Sequence, residues 1–276
     1  MAKPSAAVET AKNYYDSADA DTFYALIWGG EDIHIGLYQG ANDDIAAASQ
    51  RTVAHMAKQL SVKPEAHILD LGSGFGGASR YLASNHGAQV TALNLSSVEN
   101  ERHRQLNERT GLSDSITVID GNFEDIPCPD EHFDIVWSQD AILHSDARET
   151  VLREVDRVLK KKGQFIFTDP MQSDTCPEGV LQPILDRIHL TSLGSPRFYR
   201  TSTCELGWTE RCFEELTEQL VNHYQRVLDE TIQLEAVLHK SVDPDYVERM
   251  KKGLRHWVDG GRAGHLSWGI FHFEKA

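Results

Sequence analysis

In the middle of the chain, short apolar runs alternate with stretches in which the apolar residues have helical spacing. Short apolar runs occupy residues 67–71, 90–95, 116–119, 133–137 and 163–168. Between them lie stretches with helical spacing, over 77–85, from the second run to about Thr110, and over 151–159. Strands that alternate with helices in this way are typical of βαβ units and a parallel sheet. The pattern therefore predicts an α/β fold with a doubly wound, Rossmann-like core.

Helical patterns also flank this core. They cover residues 5–26 and 45–60 before it, and 180–192, 215–240 and 244–258 after it, and 267–273 is a last strand candidate. Between the first two helices, residues 28–38 combine glycines with aromatic and aliphatic side chains, which indicates a packed loop. We predict an N-terminal helical segment over 1–61, the core over 62–172, and a helical insert with the final strands of the sheet over 173–276.

Charge and composition narrow the function. The 276 residues include 42 acidic and 27 basic side chains, a formal charge of −15, which argues against nucleic acid or an anionic membrane as a partner. No apolar run approaches the length of a membrane span, and the N-terminus lacks the apolar region of a secretory signal. We therefore expect a cytoplasmic protein.

Cysteine and histidine spacing gives no sign of a metal centre. The four cysteines form no close pair, and the thirteen histidines are scattered without a zinc signature. We expect reduced thiols and no bound metal.

The sharpest local motif is a glycine-rich turn after the first predicted strand. Residues 70–77 read Asp-Leu-Gly-Ser-Gly-Phe-Gly-Gly. Glycines allow a ligand to approach the backbone, and the start of the following helix favours an anionic group. Because Gly72, Gly74 and Gly77 also satisfy the dinucleotide fingerprint of a dehydrogenase, the motif alone leaves both cofactors open, together with a turn of no function.

The context of this turn resembles class I methyltransferases. Asp70 stands two residues before the first glycine, residues 121–123 follow the third strand, and 133–140 and 159–167 match later segments of that family in order and spacing. The resemblance implies that S-adenosylmethionine is the cofactor. It also implies a set of cofactor-binding residues: Tyr15 as part of a lid, Asp70, Gly72, Gly74, Asn94, Leu95, Asn122, Phe123 and Gln139.

Two of these positions depart from the family pattern. The second strand usually ends in an acid that accepts hydrogen bonds from the ribose hydroxyls, and here it ends in Asn94. The adenine contact that is often Asp is Asn122. An amide can still bind a hydroxyl but lacks the strength of a carboxylate. The missing acid also weakens the dehydrogenase alternative.

Segments outside the core resemble one subgroup, the sarcosine/dimethylglycine N-methyltransferases that make glycine betaine. These segments are residues 28–38, 137–145, 167–172, 176–179, 182–189 and 257–261. The resemblance implies a small amino-acid acceptor and a product that serves in osmoprotection, and the acidic composition suits an enzyme that makes a compatible solute.

Methylation of such an acceptor sets chemical demands. The amine must present its lone pair about 3 Å from the methyl carbon, its carboxylate needs a donor, and its growing positive charge needs aromatic faces or oxygens. We nominate Trp28, Tyr199 and Trp268 as aromatic walls, and Arg200 as the carboxylate anchor. His144 and Asp140 are the polar residues beside the transfer path.

Each nomination has an alternative. Either tryptophan fits core packing, Arg200 fits a surface ion pair, His144 fits a helix cap, and Tyr15 fits a packed helix. Other functions also remain open, namely methylation of a phosphoethanolamine, a sterol or an alkene carbon, and cofactor sensing without turnover. The sequence leaves the oligomeric state undetermined.

Overall fold

A computed structural model describes residues 16–28, 30–40 and 42–276. The helices are α1 (Ala18–Ile27), α2 (Ile45–Lys58), α3 (Gly77–His86), α4 (Ser97–Thr110), α5 (Arg148–Val158), α6 (Gln182–Ile188), α7 (Pro196–Glu205), α8 (Thr217–Gln233), α9 (Glu235–Leu238) and α10 (Pro244–Arg262). The strands are β1 (His67–Leu71), β2 (Gln89–Asn94), β3 (Ile116–Asp120), β4 (Phe133–Gln139), β5 (Leu159–Thr168), β6 (Met171–Gln172), β7 (Thr209–Glu215), β8 (Leu266–Ser267) and β9 (Gly269–Glu274).

Seven strands form one sheet in the order β3-β2-β1-β4-β5-β9-β7. The pairings from β3 across to β5 are parallel, whereas β9 runs antiparallel to both β5 and β7. The order reverses at β1 and β4, so the loops after these strands diverge and leave a crevice between them. The predicted doubly wound α/β class is confirmed.

Apolar side chains bury both faces of this sheet. On one face α5 and α7 pack on β5 and β9, and on the other α2 and α3 pack on β1 and β2. Strands covered on both sides need nearly continuous apolar sequence, which is why the core runs were visible in the sequence. Over the carboxyl ends of the strands, α1, α8 and α10 form a separate helical cluster.

Local sequence signals explain where the covering helices begin. Ser17 accepts a hydrogen bond from Ala20 N at the start of α1. Asp243 accepts one from Tyr246 N at the start of α10. Capping side chains of this kind satisfy amides that have no partner inside the helix. Of the predicted helix 5–26, residues 5–15 lie outside the described part of the chain.

Helix α7 and strand β7, as well as the two-residue strand β6, were not predicted from the sequence. Ser195 caps α7 and Pro196 occupies its first turn, a start signal that the prediction did not use. Strand β7 is a mostly exposed edge strand rich in charged residues, so it lacks the apolar run that marks a strand. The predicted boundaries at 61 and 172 stay predictions. Within the described ranges, no helix is long and apolar enough to cross a membrane.

Candidate active site

The glycine turn connects β1 to α3 at the crevice. Gly72, Gly74 and Gly76 have positive φ angles of 73°, 50° and 80°. A Cβ on Gly72 would lie 2.4 Å from Ala141 Cβ, and one on Gly74 would lie 3.1 Å from Ile33 Cδ1. Gly72 N donates to the carbonyl of Leu93 over 2.8 Å, which fixes the turn to the end of β2. A side chain at Gly72 is thus excluded on steric grounds, and one at Gly74 would be crowded and strained.

A cavity opens directly above this turn, at the carboxyl ends of β1, β2 and β4. Seven of the predicted cofactor residues line it: Gly72, Gly74, Asn94, Leu95, Asn122, Phe123 and Gln139. We call this space the cofactor cavity. Tyr15 lies outside the described residues.

Asp70 does not line the cofactor cavity. Its carboxylate is buried and accepts a hydrogen bond from Ser79 Oγ over 2.6 Å. Burial raises the pKa of Asp70 to about 6, although the Ser79 bond opposes the rise. The side chain therefore fastens β1 to the first turn of α3. Its predicted contact with the cofactor, directly or through water, stays a prediction.

Glu99 is a cavity residue that the sequence analysis missed. It lies in the first turn of α4, is 4 % exposed, and accepts a hydrogen bond from Asn94 Nδ2 over 2.8 Å. Burial raises the pKa of Glu99 to about 7. An acid five residues after the end of β2 thus lines the cofactor cavity. The signal was Ser96, which caps α4 and fixes the position of Glu99 beside Asn94.

The residues present fit a cofactor with an adenosine and an amino-acid tail. The glycine turn leaves room at the backbone, Phe123 offers an aromatic face, and Asn94 and Glu99 offer polar atoms for ribose hydroxyls. Gln139 Oε1 accepts a bond from Trp137 Nε1, but its buried Nε2 has no partner among the described residues. An unsatisfied buried donor of this kind points to a ligand.

A second cavity of about 880 Å³ adjoins the first and shares Ile33, Asp140 and His144 with it. Its walls are formed by the helical cluster of α1, α8 and α10, by the loop over 33–35 and by α6. We call this space the acceptor cavity. Because both cavities meet at Asp140 and His144, a group bound in one can reach a group bound in the other.

Asp140 occupies a constrained position at this junction. Its φ is +50°, an uncommon value for a residue other than glycine and one often associated with functional sites. Its carboxylate accepts hydrogen bonds from Ile35 N and Trp268 Nε1, each over 2.7 Å. Burial raises the pKa of Asp140, while nearby His34 opposes the rise. The two donors hold the carboxylate in one orientation at the junction.

His144 ends a short 3₁₀ helix, Ile142–His144, after β4. Burial, aided by the positive charge of Arg148, lowers its pKa to about 4, so the imidazole is neutral near pH 7. Asp169 holds this turn by accepting a bond from Leu143 N over 2.9 Å.

Three predicted acceptor residues lie outside the acceptor cavity, and only Trp28 lines it. Tyr199 is fully buried, and its hydroxyl donates to Asp169 Oδ2 over 2.6 Å, so it supports the His144 turn. Trp268 is also fully buried and orients Asp140. Arg200 faces outward, pairs with Glu210 and covers the ring of Phe213.

The reason for this difference is the missed helix α7. A helix places adjacent residues on different faces, so Tyr199 turns into the core while Arg200 turns towards solvent. Neither serves as an aromatic wall or a carboxylate anchor in this structure. Arg200 instead forms the surface ion pair that was considered as its alternative, and Trp268 is packed in the core.

Four histidines of the acceptor cavity were not predicted, and two of them, His34 and His223, are buried. His34 is buried beside Asp32, with Nε2 and Oδ1 3.6 Å apart. Burial lowers the pKa of His34, but the Asp32 hydrogen bond and the charges of Asp32 and Asp140 outweigh it, so the pKa is raised. His223 on α8 is fully buried and packs beside Trp28. Scattered histidines carry no spacing signal, which explains the omission.

Comparison with known proteins agrees with this geometry. Residues 69–167 match the methyltransferase domain family. A sarcosine/dimethylglycine N-methyltransferase from Halorhodospira halochloris is 56% identical over 270 residues, which cover 98% of this chain and 97% of the relative. The enzyme of the same name from Aphanothece halophytica is 51% identical over 276 residues and covers 100% of both chains.

A solved structure shows the same likeness. The crystal structure of a Galdieria sulphuraria protein, described as a sarcosine dimethylglycine methyltransferase, superposes with a TM-score of 0.91 at 42% identity. The match covers 95% of this chain and 99% of that one.

The fold and the two joined cavities define an S-adenosylmethionine-dependent methyltransferase of class I. The crevice between β1 and β4 is the position where this type of sheet binds its cofactor. The chain belongs to the sarcosine/dimethylglycine N-methyltransferase family.

Proposed function

We propose that this protein methylates the nitrogen of sarcosine and of dimethylglycine, giving dimethylglycine and glycine betaine. The observation that carries the proposal is the junction of the two cavities at Asp140 and His144, within a chain of this family. The bound cofactor supplies an electrophilic methyl group on its sulfonium. The chain then has to orient a small amine, exclude water and stabilise the positive charge that forms on nitrogen.

Asp140 is the residue best suited to stabilise that charge. Its carboxylate is fixed by Ile35 N and Trp268 Nε1 before any substrate arrives, so little reorganisation is needed during the reaction. Preorganised charges in a site with little water are more effective than the same charges in solution. We therefore assign Asp140 to electrostatic stabilisation of the substituted ammonium.

His144 is better suited to positioning than to proton removal. An aliphatic ammonium titrates near ~10, by analogy with lysine, whereas burial lowers the pKa of His144 to about 4. An imidazole this weakly basic is a poor acceptor for such a proton. We assign His144 to hydrogen bonding within the junction and expect the amine to lose its proton to solvent before it reacts.

The proposal also covers the cofactor contacts and the setting of the reaction. We assign Asn94, Glu99 and Gln139 to polar groups of the cofactor, and Phe123 to its adenine ring. We further propose that the reaction takes place in the cytoplasm and that its product serves as a compatible solute, as the sequence predicted.

An acceptor panel tests the proposal. The protein is incubated with S-adenosylmethionine and with glycine, sarcosine, dimethylglycine, phosphoethanolamine or a sterol, and the products are identified by mass. We expect product from sarcosine and dimethylglycine and none from the sterol or the phosphorylated amine. Methyl transfer to one of those other acceptors, with none to the amino acids, would overturn the proposal.

A further inference from the structure

Of the four ring nitrogens in the acceptor cavity that have no hydrogen-bond partner among the described residues, two belong to neighbouring rings. They are Nε1 of Trp28, which is 5 % exposed, and Nε2 of His223, which is 0 % exposed. Both residues line the acceptor cavity, and their ring centroids lie 5.4 Å apart. Buried polar atoms are usually satisfied in native proteins, so two unsatisfied atoms on neighbouring rings that line a cavity point to a ligand.

The contacts of His223 determine which of its nitrogens carries the proton. Gly36 N, which can only donate, points at His223 Nδ1 over 3.2 Å, and Tyr38 Oη lies 2.9 Å from the same atom. Nδ1 must therefore accept. Burial lowers the pKa of His223 to about 3, so the ring is neutral and its one proton is on Nε2. Nε2 is thus a donor, as Trp28 Nε1 always is.

A backbone link joins this donor pair to the reaction centre. Ile35 N donates to Asp140 Oδ2, and the next amide, Gly36 N, donates to His223 Nδ1. Consecutive amides of one loop therefore bond the carboxylate and the imidazole. In sarcosine and dimethylglycine the nitrogen and the carboxyl carbon are only about 2.5 Å apart, from standard bond lengths. An anchor for such a carboxylate has to lie near Asp140, and His223 is the cavity residue bonded by the amide next to the one that bonds Asp140.

We propose that Trp28 Nε1 and His223 Nε2 donate hydrogen bonds to the carboxylate of the amino-acid acceptor and so select it over amines without a carboxylate. The inference rests on the proposed function and deepens it. It replaces the anchor predicted from the sequence, because Arg200 lies outside the cavity. Two neutral donors can hold the two oxygens of a carboxylate in a fixed orientation.

The cations of the acceptor cavity are less well suited to this task. Arg249 and Lys252 are exposed. Arg187 belongs to α6, and its Nη2 lies 2.9 Å from Met250 Sδ on α10. Within the part of the chain that the structure describes, none of the three has a hydrogen bond to Asp140 or to the loop over 33–36. Arg187 is therefore the alternative anchor that the experiment has to exclude.

The test compares variants that remove one donor each. Trp28→Phe deletes the indole N–H but keeps an aromatic ring, and His223→Leu deletes the imidazole. His223→Gln retains an N–H donor near the position of Nε2. Trp208→Phe is the matched control, because Trp208 Nε1 donates to Asp156 Oδ1 and Trp208 lines neither cavity. Arg187→Met tests the alternative anchor.

Two readouts are needed. The first is kcat and KM for dimethylglycine and for N,N-dimethylethanolamine, which has a hydroxyl in place of the carboxylate. The second is the Kd of dimethylglycine for protein saturated with S-adenosylhomocysteine, measured by calorimetry, which requires no turnover. The Kd of S-adenosylmethionine itself is measured as a check on the cofactor cavity.

We expect Trp28→Phe and His223→Leu each to raise the KM and Kd of dimethylglycine about tenfold or more, with kcat and cofactor affinity little changed. Preference for dimethylglycine over N,N-dimethylethanolamine should fall by the same factor, and His223→Gln should restore part of it. Wild-type protein that methylates neither amino acid would overturn the proposed function and this inference with it. Active wild-type protein with unchanged values in both variants, or an equal loss in Arg187→Met alone, would overturn this inference only.

Discussion

Trp268 Nε1 donates a hydrogen bond to Asp140 Oδ1 over 2.7 Å, although the two residues are 128 positions apart in the chain. Asp140 follows β4, and Trp268 lies between β8 and β9. The final strands of the sheet therefore contribute directly to the orientation of the carboxylate at the junction of the two cavities.

Loss of this bond should impair the reaction more than the fold. We expect Trp268→Phe to lower kcat about tenfold or more, since a hydrogen bond to a charged group is worth about 1.5–3 kcal/mol. The Kd of the cofactor should change little. Trp208→Phe, which loses a bond of the same length to Asp156, is the matched control. Equal kcat values in the two variants would show that Asp140 does not need this donor.

Gly74→Val should abolish cofactor binding while the fold is retained. A branched side chain would project towards Ile33, and a Cβ there is already only 3.1 Å from Ile33 Cδ1. Gly87→Val is the control, since Gly87 has a similar positive φ of 66° but open space around it. Both variants carry backbone strain of roughly 1–2 kcal/mol, so the midpoint temperature of thermal unfolding should fall in both. Cofactor affinity should fall only in Gly74→Val; unchanged affinity there would refute the assignment of the turn.

There is a physical reason why the cofactor cavity could be predicted from the sequence and the acceptor cavity could not. The glycine turn and the strand ends carry strong local signals, so Gly72, Gly74, Asn94 and Gln139 could be located from sequence alone. The acceptor cavity is built by residues far apart in the chain. Its walls depend on how α1, α8 and α10 pack over the sheet, which no local pattern encodes.

Single residues illustrate the same limit. Trp268 and Tyr199 were predicted as aromatic walls, but sequence could not show that each would be buried with its polar atom bonded to an aspartate. His223 was overlooked because its neighbours Gly36 and Trp28 come from the other end of the chain. Arg200 was misplaced because the Ser195-Pro196 start of α7 was not used.

Asn94→Ala should weaken cofactor binding by about 1–2 kcal/mol, because it removes an amide from the cavity and leaves Glu99 without the donor at 2.8 Å. The KM of dimethylglycine should change little, since Asn94 lines only the cofactor cavity. Calorimetric titration with S-adenosylmethionine and steady-state kinetics measure the two quantities. A rise in acceptor KM with unaltered cofactor affinity would contradict the assignment.

Glu99→Gln should change how stability depends on pH. Burial raises the pKa of Glu99 from 4.5 to about 7, with Asp21 and Asp16 adding to the effect and the Asn94 bond and Arg102 opposing it. The folded state therefore prefers the protonated acid. Its contribution to stability is fully present below the unfolded pKa and is lost as the pH rises through about 7.

The variant does not titrate at this position, so its advantage over wild-type protein should be larger at about pH 8 than at about pH 5. Urea unfolding of both proteins without cofactor, at the two pH values, measures the difference. A difference in unfolding free energy that is the same at both pH values would contradict the raised pKa of Glu99.

His144→Ala should raise the KM of dimethylglycine and leave the shape of the pH–rate profile unchanged. The wild-type rate should climb with pH because the amine must be deprotonated before it attacks, and His144, with a pKa of about 4, is neutral throughout that range. The profile of kcat and KM over roughly pH 7 to 10 tests this expectation. A fall in kcat of about 10²-fold or more, with a flattened profile, would instead identify His144 as the base.

The most direct test of the account is the stoichiometry of methyl transfer from S-adenosylmethionine carrying a deuterated methyl group. Dimethylglycine should yield glycine betaine with one labelled methyl, and sarcosine should yield glycine betaine with two. S-adenosylhomocysteine should form in equal number to the methyl groups transferred, and no further transfer should follow, since the betaine nitrogen has no lone pair. The account would be contradicted if sarcosine and dimethylglycine gained no label after complete incubation, whether the cofactor stayed intact or was consumed on another acceptor.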